Sequence, residues 1–100
     1  MQQEGIQLNE TVCVDATHPC LPGHFPAQPV VPGVVLLDHV AARIERAGLG
    51  PILRLASVKF RAPLLPQQQA EMHIDINEGR VRFRFERDGH MLASGEGVLA

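Results

Sequence analysis

The sequence predicts an α+β domain in which an antiparallel sheet of about five strands wraps around one long helix. Two observations lead to this prediction. From Val34 to Ala47 apolar residues recur at three- and four-residue spacing, which is typical of an amphipathic helix. After Pro51 the spacing changes to two, which is typical of strands joined by turns. Because 100 residues are close to the common size of one domain, residues 1–100 are assigned to a single domain.

Five segments have the period of strands. They are residues 6–16, 52–61, 70–77, 80–86 and about 90–99. Glu78-Gly79 forms a turn between the third and fourth segments, and Asp88-Gly89 is a strong signal for a hairpin between the last two. The aromatic residues Phe60, Phe83 and Phe85 are predicted to be core residues, and the sequence alone does not separate the core from the lining of a ligand channel.

The segment from His24 to Asp38 leads into the helix. Its three prolines and Gly33 keep it irregular, and Pro32 suits the start of a helix because its ring presets φ. Asp38 lies on or beside an apolar stripe of the helix, where a carboxylate is desolvated unless it is paired or protonated. The residues of that stripe are Val34, Leu37, Ala41 and Ile44.

The helix is apolar on more than one side, since Val35, Leu36 and Val40 add a second apolar surface. A single sheet of about five strands can hardly cover both surfaces. We therefore expect a homodimer or a higher homo-oligomer.

Composition and charge exclude several functional classes. A net charge of -2 and four Phe without Tyr or Trp argue against binding of nucleic acid. No segment approaches the length of a membrane span and the N-terminus has no signal pattern, so a cytoplasmic location is the default. Cys13 and Cys20 are too few and too close to suggest a disulfide framework, and both are read as reduced thiols.

Four residues of a type that binds zinc lie in or near the segment before the helix. They are His18, Cys20, His24 and His39. The spacing of the first three matches no compact zinc pattern, and prolines occupy the loop. We therefore expect no metal.

The residues 23–26 (Gly-His-Phe-Pro), followed by 29–34 and an acid in the helix, resemble the hot-dog-fold β-hydroxyacyl-(acyl carrier protein) dehydratases of fatty acid synthesis. Residues 58–66 are similar to the strand that follows the central helix of these enzymes. The resemblance implies a hot-dog fold and the removal of water from a β-hydroxyacyl thioester to give a trans-2-enoyl thioester. It further implies an acyl carrier protein as partner, with the substrate on its phosphopantetheine arm, and no cofactor.

The same resemblance assigns roles to five residues. His24 takes the proton next to the thioester, as suits an imidazole with a pKa of ~6.5, and Asp38 protonates the leaving hydroxide. Apolar surroundings are expected to raise the pKa of Asp38 toward that task. The N–H of Gly33 donates to the thioester carbonyl, Val30 orients the ring of His24, and Pro32 belongs to the same substrate-binding segment. In this family His and acid come from different subunits.

Several residues depart from the family's usual pattern. The acid is Asp38, where small dehydratases usually have Glu, and Ala27 stands where many have Gly. Gln67-Gln68 replaces Gly-Asp, and His39 narrows the expected acyl tunnel. Short, divergent chains of this kind resemble the dehydratases of secondary-metabolite clusters, such as aryl polyene pathways.

Two other functions stay open at this point. The first is a hot-dog acyl thioesterase, against which the spacing from His24 to Asp38 argues. The second is a non-catalytic subunit that binds the acyl carrier, against which the retention of both polar residues argues. The row Arg80, Arg82 and Arg84 is either a solvated face or a docking patch for the acidic carrier, joined by Arg43, Arg46, Lys59 or Arg61.

Overall fold

The computed structural model describes residues 5–14 and 30–100, and the structural statements below concern this part of the chain. Its elements follow one another in an order that confirms the predicted α+β class. They are β1 (Ile6–Cys13), α1 (Gly33–Arg46), β2 (Ile52–Phe60), β3 (Gln69–Asn77), β4 (Arg80–Arg87) and β5 (His90–Leu99). The first strand is shorter than predicted, because Val14 no longer belongs to it.

The five strands form one antiparallel sheet in the order β1-β3-β4-β5-β2. Both predicted turns are confirmed, since φ is positive at Glu78 and Gly79 (52° and 77°) and at Asp88 and Gly89 (50° and 79°). Turns of this type match the twist of the strands that they join. The hairpins therefore place β3, β4 and β5 side by side, and β1 and β2 form the two edges.

The core lies between α1 and one face of the sheet, here called the inner face. Buried residues alternate along the central strands, as the period of two predicts. The largest contribution comes from Met72, Ile74, Val81, Phe83 and Phe85. Two of the three predicted aromatic core residues are thus confirmed, but the third prediction is wrong, because Phe60 is 55% exposed.

The two apolar surfaces of α1 have different surroundings. Val35, Leu36, Val40 and Ile44 are buried against the sheet. On the other side Val34 is 60% exposed, and Leu37 and Ala41 are only half-buried. One apolar side of the helix is therefore left uncovered within a single chain.

Polar contacts join the end of α1 to the edge of the sheet. Glu10 in β1 accepts a hydrogen bond from Arg46, and its Oε1 lies 3.9 Å from Nε of Arg43. Cations in the last turn of a helix also complement its dipole. The helix ends at Arg46, and Gly48, two residues later, has a φ of 79° that glycine adopts readily. Arg43 and Arg46 thus help to hold the helix on the sheet, and their part in a docking patch stays a prediction.

The edge strand β2 pairs irregularly with β5, and its backbone closely approaches Gly97. Its register with β5 shifts between Ile52 and Arg54 and again between Leu55 and Ser57. A Cβ on Gly97 would lie 2.3 Å from the carbonyl oxygen of Arg54, so only glycine fits there.

In the described part of the chain, no helix is long and apolar enough to cross a membrane.

The contact at Gly97 can be tested by adding one methyl group. Gly97→Ala is expected to lower the free energy of unfolding by about 1–3 kcal/mol, as overpacking does, because the obstructing atom belongs to the backbone of β2. The matched control is Gly50→Ala, whose Cβ would lie 3.4 Å from the oxygen of Ala100 and should change stability by less than about 0.5 kcal/mol. Urea unfolding of both variants measures the difference, and equal stabilities would contradict the close approach.

Candidate active site

The N-terminus of α1 is the first part of the candidate site. Pro32 precedes the helix in an extended conformation, with φ of -61° and ψ of 143°, and the helix begins at Gly33. The first N–H groups of a helix have no partner within it and carry a partial positive charge. Val35 donates to the carbonyl of Pro32 at 3.0 Å, so this first turn is closed. The predicted helix start is confirmed, and it offers donors to a developing negative charge.

A backbone hydrogen bond fixes the approach to this helix. The N–H of Val31 donates to the carbonyl of Leu64 at 2.8 Å. Val31 is 6% exposed and Leu64 is 1% exposed, so the bond lies within the core. The segment before α1 is therefore held against the segment that follows β2, with the half-buried Val30 at its start.

A groove of about 290 Å³ opens beside the helix N-terminus. Its lining is mostly apolar and includes Val31, Gly33, Leu36, Phe60, Pro63 and Leu64. Arg61 also lines it. The size and lining suit an apolar ligand that presents one polar atom to the N-terminus of the helix.

Gly33 is in close contact with the ring of Phe60. A Cβ on residue 33 would lie 2.5 Å from Cζ and 2.8 Å from Cε1 of that ring. The aromatic ring itself takes the space that a side chain at residue 33 would need, which explains why glycine occupies this position.

Asp38 lies on the uncovered side of α1, five residues after Gly33. At 1.5 Å per residue this separation is about 7.5 Å along the helix axis. The carboxylate is exposed, so the apolar surroundings expected for it are not formed within one chain. The predicted partner His24 lies outside the described residues, and the roles assigned to His24, Asp38, Val30, Pro32 and Gly33 stay predictions. The structure does bring the last three together at the start of the helix.

The described residues do not support the alternative of a zinc site. Within residues 5–14 and 30–100, no group of three or more His, Cys, Asp or Glu side chains is placed to hold a metal ion. His39 is half-buried on α1, and the other candidate ligands His18, Cys20 and His24 fall outside the description. Cys13 is a free thiol, as predicted, and it is exposed.

The outer face of the sheet, on the side away from α1, is strongly charged. Nε of Arg82 lies 3.5 Å from Oε2 of Glu96, and Arg84 donates to Glu86. The hydrogen bond from Arg84 holds the pKa of Glu86 below its ordinary value. The arginines of β4 share one face as predicted, but two of them are partly neutralised by neighbouring acids.

A second groove, of about 370 Å³, crosses this outer face. Lys59 and Arg61 line it from the side of β2, and Arg82 and Arg84 from the side of β4. Among the described residues no carboxylate lies within 4.0 Å of the charged atoms of Lys59 or Arg61. Two cations without a carboxylate partner thus lie beside the end of β2, and in the same part of the chain Arg80, at the start of β4, is a third.

The structure thus has the features of one class of protein. A single helix lies on a five-stranded sheet of order β1-β3-β4-β5-β2, and its N-terminus opens on an apolar groove. This is the architecture of the hot-dog fold.

Comparison with known proteins identifies the family. The model of the ApeI-like family, described as ApeI dehydratase, matches residues 1–96, and the chain belongs to this family. The chain is similar to the solved dehydratase heterocomplex ApeI:P from Xenorhabdus doucetiae, with a TM-score of 0.83 and 27% identity over 94% of this chain and 87% of that one. An uncharacterized protein from Erwinia carotovora subsp. atroseptica is also similar, with a TM-score of 0.86 and 26% identity over 100% of this chain and 87% of that one.

The curated relatives are longer. A 3-hydroxyacyl-[acyl-carrier-protein] dehydratase FabZ from Actinobacillus succinogenes is 28% identical over 88 residues, which are 78% of this chain and 59% of the relative. The FabZ of Bartonella henselae is 31% identical over 96 residues, 83% of this chain and 58% of the relative. The chain thus spans less than two thirds of the length of these relatives. The comparisons confirm the predicted fold and the resemblance to the dehydratases.

Proposed function

We propose that this chain dehydrates β-hydroxyacyl groups carried on an acyl carrier protein, in fatty acid or polyene-type biosynthesis. The observation that supports this most directly is the N-terminus of α1, which opens at Gly33 on an apolar groove. Membership of the ApeI-like dehydratase family and similarity to FabZ proteins point to the same reaction. No cofactor enters the scheme, and the cytoplasmic location stays a prediction.

Three residues act on the substrate in the proposed reaction. His24 removes the proton from the carbon next to the thioester, and the electron pair moves onto the carbonyl oxygen. The N–H of Gly33 stabilises this enolate oxygen, because donors at a helix N-terminus are already oriented toward it. The C–O bond at the β-carbon then breaks, and Asp38 gives its proton to the leaving hydroxide. Water leaves, and transfer of the proton from His24 back to Asp38 restores both groups.

We propose that a second copy of the chain completes the site. Among the described residues no strand lies beside the edge of β2 that faces away from β5, and Leu53 on this strand is 70% exposed. Val34 and Phe60 are more than half exposed near the helix N-terminus. Burying a side chain of this size contributes about 1.5–3 kcal/mol, so pairing of two chains here is favoured. A solved relative is a heterocomplex, so a related but different chain is the competing occupant.

We further propose that the carrier protein docks beside β2. Lys59 and Arg61 extend from the end of this strand, and Arg61 lines both the outer groove and the groove at Gly33. An acidic partner would be steered toward this positive charge, and the arm that it carries would reach the helix N-terminus.

The reaction can be tested by mass spectrometry of a β-hydroxyacyl carrier protein incubated with the enzyme. We expect loss of the mass of one water molecule. His24→Ala and Asp38→Asn should lower the rate by about 10²–10⁴-fold, the usual contribution of a general acid or base. Asp88→Asn is the matched control, because it removes an exposed carboxylate from a turn far from the site. Cleavage of the thioester would instead show a thioesterase, and binding without reaction a carrier-binding subunit.

Pairing through β2 can be tested by native mass spectrometry. Leu53→Asp places a charge in the proposed contact and should convert a dimer into monomers with loss of dehydration. Ile6→Asp is the control, since Ile6 is 42% exposed on the opposite edge strand. A wild-type chain that is monomeric and active would overturn the proposal. A wild-type chain that is inactive alone but active with a second hot-dog protein would show a heterologous partner.

Carrier docking can be tested by comparing two substrates. Lys59→Glu should raise KM for the carrier-bound substrate by roughly tenfold, because charges at the rim of an interface act mainly on encounter. The same variant should leave KM for the pantetheine-bound substrate unchanged, which is the internal control. A rise in KM for both substrates would place Lys59 in the acyl site rather than in the docking surface.

A further inference from the structure

Phe60 is an apolar residue in an unexpected place. It is the last residue of β2 and 55% exposed, so burial in the core does not explain it. Its partner across the strands is Ala93, which is too small to hold the ring. The atoms Cζ, Cε1 and Cε2 of the ring instead lie 2.5, 2.8 and 3.1 Å from the position of a Cβ on Gly33. The ring packs on the first residue of the helix.

The backbone that follows Phe60 is hydrogen-bonded to β5. The N–H groups of Arg61 and Ala62, which follow it, both donate to the carbonyl of Leu92, at 2.7 and 3.1 Å. Phe60 can therefore transmit the position of the sheet to the helix N-terminus. Gly33 has an ordinary helical backbone, so a side chain at this position would be obstructed by the ring and not by its own φ.

We infer that Phe60 is a positioning residue for the proposed dehydration. Its ring fixes the first turn of α1 so that the N–H of Gly33 meets the thioester oxygen as negative charge develops on it. This inference rests on the proposed function. Its physical basis is that a donor contributes fully only at 2.7–3.1 Å from the oxyanion, whereas a misplacement of about 1 Å costs up to 10²-fold in rate.

The test is a double-mutant cycle in the full chain, with kcat and KM measured for dehydration of a pantetheine-bound β-hydroxyacyl substrate. Phe60→Ala should lower kcat by about 10- to 100-fold and change KM by less than about threefold, because the lost contact acts on the transition state. Phe60→Met, which can still reach Gly33, should recover part of the loss. Ile6→Ala is the control for shortening an exposed apolar residue in an edge strand.

The cycle also includes Gly33→Ala, and in this background Phe60→Ala is expected to raise the activity that it lowers in the wild type. Gly33→Ala should lose activity, because its methyl group is forced against the ring. Adding Phe60→Ala to Gly33→Ala should raise activity and the unfolding midpoint above those of Gly33→Ala alone, since the space is restored. Residues in contact couple in this way, whereas independent sites only add their losses.

The outcomes separate the two proposals. If the wild type dehydrates its substrate and Phe60→Ala does so equally well, the positioning role is wrong and the proposed function stands. The role is also overturned if Phe60→Ala raises KM alone, if Phe60→Met is no better than alanine, or if the two substitutions in the double variant simply add. If the wild type shows no dehydration, the proposed function fails, and the inference fails with it.

Discussion

The hydrogen bond between Val31 and Leu64 is the constraint on which the candidate site depends. It joins the chain just before α1 to the chain just after β2, two segments far apart in the sequence. Because both residues are buried, loss of the bond would leave an unpaired polar group away from water, at a cost of about 1–3 kcal/mol. The helix therefore begins at a fixed place over the sheet, and the groove at Gly33 is a consequence of this connection.

The same arrangement explains why a single chain gives only part of a site. The sheet covers Leu36, Val40 and Ile44 of α1 and leaves the side with Val34 and Asp38 open. A carboxyl group in water is ionised at neutral pH and has no proton to donate, whereas desolvation by a covering surface favours its protonated form. The chemistry proposed for Asp38 thus depends on the same second chain that would cover Val34. Association and catalysis are then linked through one side of one helix.

Much of the fold could be predicted from the sequence. Pro32-Gly33 marked the start of the helix, Asp88-Gly89 marked a hairpin, and alternation along β3 and β4 marked the inner face, because these signals act locally. The surroundings of Phe60 could not be predicted. The register of β2 against β5 shifts twice, so a simple period of two does not show which side chains of β2 face the core. For α1, both sides are apolar, and only packing against the sheet decides which is buried.

Alternation at the end of β2 connects the two surfaces that the proposals need. Successive side chains of a strand point to opposite faces, so Phe60 turns toward the helix while Lys59 turns toward the outer face. Lys59 lines the outer groove, Phe60 lines the groove at Gly33, and Arg61, just after the strand, lines both. A carrier protein attracted to the two cations would present its acyl thioester within reach of the aromatic ring. Residues 59–61 can thus couple the docking of the carrier to the alignment of its thioester without a conformational change.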